Sequence, residues 1–164
     1  MLAQRHGGQA QDWILQERPS LPPIVMGHET TTYLSLSHSG DWVACALWDQ
    51  PVGIDIEQRR PPRDALLRFQ HLLLAVGELP DTLSVDELLQ RWVAKEAWIK
   101  RHHGSALPEH LAALNLQPVT GAEVNVRLIS TAAFHFGIAA DVQPSGEIEI
   151  AADVVASSGW RVNA

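Results

Sequence analysis

Apolar and polar positions alternate along the first third of the chain in short runs, broken by Pro, Gly and Asp. Trp13-Ile14-Leu15 reads as a short strand, followed by the turn-rich Pro19-Ser20-Leu21-Pro22-Pro23, which cannot be helix. Residues 30–37 are β-branched, aromatic and alternating, the mark of a strand. Ser39-Gly40-Asp41 supplies a turn and residues 42–48 a second strand, so an antiparallel hairpin is predicted. Asp49-Gln50-Pro51 turns again, into a third apolar run over 52–56.

The period then changes. Asp64 is placed to cap a helix running to about residue 75. Ser84 with Glu87 three residues on forms a capping-box pattern, and Leu88, Leu89, Trp92, Val93, Ala97 and Ile99 follow at helical spacing. One long helix over about 85–102 is predicted, then a short helix or turn over 107–114. Strands are expected at 123–130, 133–141 and 147–154, with Pro144-Ser145-Gly146 turning between the last two. A β-rich, then helical, then β-rich order predicts an α+β protein with helices packed on antiparallel sheets.

Composition narrows the function. The chain has 164 residues, 46% hydrophobic and 19% charged, with a net charge of −7. That balance fits a globular protein and leaves no broad basic surface for nucleic acid. The single cysteine, Cys45, excludes an internal disulfide and a Cys-based zinc site. The longest apolar run, Leu72 to Val76, falls far short of the roughly 20 residues that span a membrane. No signal pattern opens the chain, so a cytoplasmic location is expected. Of the 12 basic residues only two are lysines, Lys95 and Lys100, both in the long helix.

Three segments carry candidate chemistry. In Gly53-Ile54-Asp55-Ile56-Glu57, strand alternation puts both carboxylates on one face, where they repel unless a cation joins them. Oxygen ligands favour Mg²⁺ or Mn²⁺. Acids at a strand end facing water are the competing reading. Gly53 lets a ligand or another backbone come close. Glu96 and Lys100 form an i,i+4 pair on the helix, by itself a common surface feature, but Trp92 and Trp98 flank it. Glu96 would add a third carboxylate to Asp55 and Glu57, and Lys100 would reach phosphates. In Ser37-His38-Ser39-Gly40-Asp41-Trp42, serine hydroxyls and turn amides offer donors to an anion; a small polar hairpin is the plain alternative.

In this order the three segments resemble the 4′-phosphopantetheinyl transferases, most of all the larger, single-chain type acting on carrier proteins of peptide and polyketide synthases. The family's G-x-D-x-E strand and W-x-x-K-E-A-x-x-K helix both occur complete, as Gly53 to Glu57 and Trp92 to Lys100. Arg18-Pro19 is similar to the family's Gly-Lys-Pro segment.

The resemblance implies two pseudo-twofold lobes, each a small antiparallel sheet with packed helices. A shortened first lobe would cover 1–51 and a second lobe, with the metal site and long helix, 52–164. It implies that Asp55, Glu57 and Glu96 hold Mg²⁺ on the pyrophosphate of coenzyme A, with Lys100 beside the departing 3′,5′-ADP and Glu96 as base. Ser37, His38 and Arg18 would meet the adenosine end. Lys95 is grouped with the coenzyme A contacts. The implied partner is an acyl or peptidyl carrier protein, and the basic run Arg59, Arg60, Arg63 and Arg68 is a candidate docking face for its acidic surface. Phe69 lacks the glutamate the family often carries four residues on. Because the first lobe is short, a sheet face bearing Trp42 or Trp48 is expected to be covered by a second subunit, as a homodimer. Two other readings stay open: a non-catalytic transferase-like domain that binds coenzyme A or a carrier protein, and a metal-dependent phosphohydrolase.

Overall fold

The strands separate along the chain into two antiparallel sheets. In the computed structural model, residues 7–27, 30–59, 65–78, 83–103, 111–121, 124–141 and 154–163 are described. The first sheet is a meander of β1 (Ile14–Arg18), β2 (Leu21–Gly27), β3 (Thr30–Ser39) and β4 (Trp42–Trp48). The second contains β5 (Gly53–Gln58), β6 (Asn115–Pro118), β7 (Val126–Thr131), β8 (Phe134–Ala139) and β9 (Val154–Asn163), in the spatial order β5-β8-β7-β9-β6. Two α-helices, α1 (Ala65–Leu73) and α2 (Val85–His103), and a short 3-10 turn (Ala10–Asp12) complete the described elements. The α+β expectation holds, as two antiparallel sheets with packed helices.

The β3–β4 hairpin closes on Gly40 and Asp41, with Gly40 at φ 57°, a conformation open to glycine. Pro22 and Pro23, expected in a turn, lie within β2. They are tolerated because pairing with β3 begins only at Ile24, and the β1–β2 register is irregular between Gln16 and Arg18.

Helix α2 starts as predicted. The Ser84 amide donates to Glu87 Oε2 (2.8 Å) and the Glu87 amide donates back to Ser84 Oγ (3.2 Å). Asp86 and Glu87 occupy its first turn and Lys100, Arg101, His102 and His103 its last, matching the helix dipole. Leu88, Leu89, Ala97 and Ile99 then bury against α1, Val126, Ala139 and Val162 to form the larger core cluster. A smaller cluster joins the sheets, with Val52, Ile54 and Ile138 packed against Tyr33, Ala44, Ala46 and Trp48.

That packing corrects the expected bare face. Trp48 lies in the inter-sheet cluster, and Trp42 meets Phe134 with ring centroids 4.8 Å apart. The exposed apolar residues of the first sheet are Ile14, Leu15, Leu21, Leu36 and Val43, the last 78% exposed. Residues 111–114 form a turn closed by the Leu114 amide on Leu111 O, followed by β6, which the pattern did not predict. β9 was also not predicted. The expected strand at 147–154, except Val154, the turn at 144–146, the Asp64 cap and residues Arg60 and Arg63 lie outside the described residues.

Candidate active site

Alternate residues of β3 from 35 to 39 are serine, and their hydroxyls take the place of a backbone ladder between the sheets. The amides of Ile54, Ile56 and Gln58, on the edge of β5 away from β8, donate to Oγ of Ser35 (2.9 Å), Ser37 (3.2 Å) and Ser39 (3.0 Å). A buried strand edge needs such acceptors, since an unpaired amide there is costly. Ser37 and Ser39 pass their own protons on, to Asp55 Oδ1 (2.7 Å) and Glu57 Oε2 (2.7 Å). Each carboxylate of the Gly-Ile-Asp-Ile-Glu strand is thus held from the neighbouring sheet.

Helix α2 crosses the same face of β5. A Cβ on Gly53 would overlap Ala97 O and the Arg101 amide, and one on Gly137, paired with Asp55, would lie 3.0 Å from Val93 O. These two glycines let the helix backbone settle onto the sheet. The approach brings Lys100 Nζ to 2.6 Å from Asp55 Oδ1, where it also donates to Ser37 Oγ (3.1 Å) and lies 3.4 Å from Glu96 Oε2. Trp92 Nε1 donates to Glu96 Oε1 at 2.6 Å and fixes that carboxylate from one turn earlier.

The Asp55 side chain is only 3% exposed. Burial pushes its carboxyl up to about 7; the Glu96 charge adds to the rise, while the Lys100 charge and hydrogen bonds from Lys100 and Ser37 oppose it. Asp55 Oδ2 is buried and has no hydrogen-bond partner. An orphaned carboxylate oxygen among further oxygen donors fits a hard divalent cation. Asp55 and Glu96 converge on one cation position, which the Lys100 ammonium takes. Among the described residues no group of three acidic, imidazole or thiol side chains is close enough to hold a metal as placed. Glu57 stands two residues along β5 with its carboxylate bonded to Ser39.

The structure therefore brings Ser37, Asp55, Glu96 and Lys100 together, with Glu57 next along the strand. It does not bring Lys95 to them. Lys95 is 0% exposed and its three protons meet Leu73 O (2.8 Å), Leu111 O (3.1 Å) and the Glu78 carboxylate. An ammonium has three donors, so none is left for a phosphate. Arg18 donates to Pro22 O and lies over the Tyr33 ring at 5.6 Å, where it closes the β1–β2 turn. His38 is exposed and, one residue from Ser37 on β3, faces the opposite side of that sheet.

Two buried networks escaped the sequence reading. Glu78, partner of Lys95, also accepts the amides of Ala75 (2.9 Å) and Leu116 (2.8 Å). His135, 0% exposed, links Ser130 Oγ (2.7 Å to Nδ1) with Asp86 Oδ1 (3.0 Å to Nε2), and Arg59 Nε donates to the same Asp86 oxygen. Burial lowers the His135 pKa against the pull of Asp86. Ser, His and Asp in a row suggest a nucleophile, but a buried Ser130 and His135 meet no substrate; they anchor the first turn of α2. Neither network has a local motif, because its central pairs are distant in sequence: Glu78 and Lys95 are 17 positions apart, and Asp86 and His135 are 49 apart.

Known proteins are similar to this chain over about half of its length. The chain is 34% identical over 98 residues to the 4′-phosphopantetheinyl transferase Sfp of Bacillus subtilis, covering 56% of this chain and 40% of that protein. It is 40% identical over 74 residues to the transferase psf-1 of Bacillus pumilus, covering 42% and 30%. Over about half its length the chain is similar to 4′-phosphopantetheinyl transferases. The 4′-phosphopantetheinyl transferase AcpT of Escherichia coli O157:H7 is 36% identical over 101 residues, 52% of this chain and 51% of AcpT. The matches thus span between 30% and 51% of the length of these relatives. No protein-family model matches the chain. Among the described residues no helix is long and apolar enough to cross a membrane.

Proposed function

We propose that the protein transfers 4′-phosphopantetheine from coenzyme A to a serine hydroxyl of an acyl or peptidyl carrier protein. The observation that carries this reading is the convergence of Asp55, Glu96, Lys100 and Ser37 at the joint of β3, β5 and α2, in a chain whose relatives are named 4′-phosphopantetheinyl transferases. Asp55, Glu57 and Glu96 would hold Mg²⁺, or Mn²⁺ in its place, which when bound offsets the negative charge of the coenzyme A pyrophosphate.

In this reading Lys100 turns its ammonium to the same pyrophosphate and stabilises the charge that grows on the departing 3′,5′-ADP. Glu96, oriented by Trp92, takes the proton of the carrier serine as its oxygen bonds to the β-phosphorus and the phosphoanhydride bond to 3′,5′-ADP breaks. Arg59 and the exposed Arg68 are the candidates for the acidic carrier. The apolar strip with Leu36 and Val43 is assigned to a second copy of the chain; a monomeric mass by light scattering at micromolar concentration would remove that assignment.

The test is direct. Protein, coenzyme A, Mg²⁺ and an apo carrier protein are incubated, and the carrier is weighed by mass spectrometry. A phosphopantetheine mass gain that disappears with Glu96→Gln supports the transferase. Coenzyme A binding without a gain on any of several carriers favours a binding domain instead.

A further inference from the structure

Lys100 occupies the point on which Asp55 and Glu96 converge. Its ammonium contacts Asp55 Oδ1 at 2.6 Å and Ser37 Oγ at 3.1 Å, and stands 3.4 Å from Glu96 Oε2, with the side chain 17% exposed. Asp55 Oδ2, the second oxygen of the same carboxylate, has no partner. A divalent ion shared by these carboxylates would meet the ammonium at short range in a poorly solvated site, where like charges repel strongly. The two cations cannot both keep these contacts.

We propose that Lys100 is a tethered counter-cation which neutralises the Asp55–Glu96 pair in the ligand-free protein and swings off Asp55 when a divalent cation enters. This rests on the reading of these carboxylates as a metal site, and adds that the lysine opposes loading by the bare ion. The stem leaves room for the exchange: Lys100 lies in the last turn of α2, on the half-buried face, and its four-carbon chain moves its head without moving the helix. An arginine, common elsewhere in this chain, would fork across both carboxylates and be harder to displace. Once displaced, the ammonium lacks its Asp55 contact and is available to an anion. Metal and phosphate ligand would therefore bind more tightly together than apart.

The scarcity of lysine makes this measurable on the unaltered protein. The chain has two lysines, and Lys95 is fully buried and bonded, an internal control. Acetylation by an amine-reactive ester, read by peptide mass spectrometry, is expected to be slow at Lys100 without metal and several-fold faster with saturating Mg²⁺, while Lys95 stays unreactive. Unchanged or slower labelling of Lys100 overturns the proposal. In parallel, Mn²⁺ alone is titrated and the free ion counted by electron paramagnetic resonance. Lys100→Met is expected to bind Mn²⁺ about tenfold more tightly than the parent, because a repelling charge is gone. Equal or weaker binding by a variant with the parent's circular dichroism overturns the counter-cation role and leaves the metal site standing. Absence of Mn²⁺ binding by both proteins overturns the metal reading itself, and this proposal with it.

Discussion

Lys95 donates its ammonium to the Glu78 carboxylate in a place solvent does not reach, one helix position before a residue of the candidate site. The pair ties α2 to the end of α1 and, through the Glu78 contact with the Leu116 amide, to β6. Removing one partner of such a pair leaves the other charged and buried, at a cost of about 3–5 kcal/mol. Lys95→Met is therefore expected to lose stability of that order in urea unfolding. The fraction that stays folded is expected to bind coenzyme A with unchanged affinity, by calorimetry. A large loss of affinity with intact stability would return Lys95 to the binding site.

Gly53 sets the distance between β5 and α2. A methyl group there overlaps Ala97 O and the Arg101 amide and lies 2.9 Å from Arg101 Cβ, none of which is a flexible side-chain tip. Gly53→Ala is expected to cost about 1–3 kcal/mol or more, as overpacking does. It should also lift Glu96 and Lys100 away from Asp55. Thermal unfolding reads the first effect. Weaker Mn²⁺ binding in the folded protein at low temperature reads the second.

Much of this was legible in the sequence, for physical reasons. α2 announced itself by a capping box and a long apolar period, and the β3–β4 hairpin by alternation around Ser39-Gly40-Asp41. The family resemblance put Asp55, Glu57 and Glu96 around one metal with Lys100 beside its phosphates; the structure instead puts Lys100 on Asp55 and Glu96, with Glu57 apart on Ser39. What escaped depends on contacts between distant segments. Nothing local in Glu78 shows that it will meet Lys95, or in His135 that it will meet Asp86. Ser37 was read as an anion donor because the sequence does not show that its hydroxyl is already shared between the Ile56 amide, Asp55 and Lys100. Pro22 and Pro23 suggested a turn because the irregular β1–β2 register that accommodates them cannot be seen before the strands pair.

The serine joint gives a prediction separate from the chemistry. Ser35 accepts the Ile54 amide at 2.9 Å in a buried position, two residues before the serine that touches Asp55. Ser35→Ala leaves that amide unsatisfied, and about 1–3 kcal/mol of stability should go with it. Hydrogen exchange is expected to quicken at Ile54 while the Asp55–Lys100 contact persists. Unchanged exchange at Ile54 would show that the joint does not hold that edge.

Asp55 predicts opposite pH trends for stability and for cation binding. Its folded pKa is pushed from the ordinary 3.8 up to about 7, chiefly by burial. Between those values the folded protein holds a proton that the unfolded chain releases. The stabilising contribution is therefore complete below about pH 4 and is lost as pH rises through about 7. Asp55→Asn has no such group, so its stability relative to the parent should improve by about 1–4 kcal/mol from pH 5 to pH 8, measured by urea unfolding without metal. A divalent cation needs the ionised carboxylate, so Mn²⁺ affinity of the parent should rise across pH 6 to 8, with up to one proton released on binding. Calorimetry in two buffers of different ionisation enthalpy counts that proton. A flat stability difference together with pH-independent Mn²⁺ binding would show that Asp55 stays ionised in the folded protein down to pH 5.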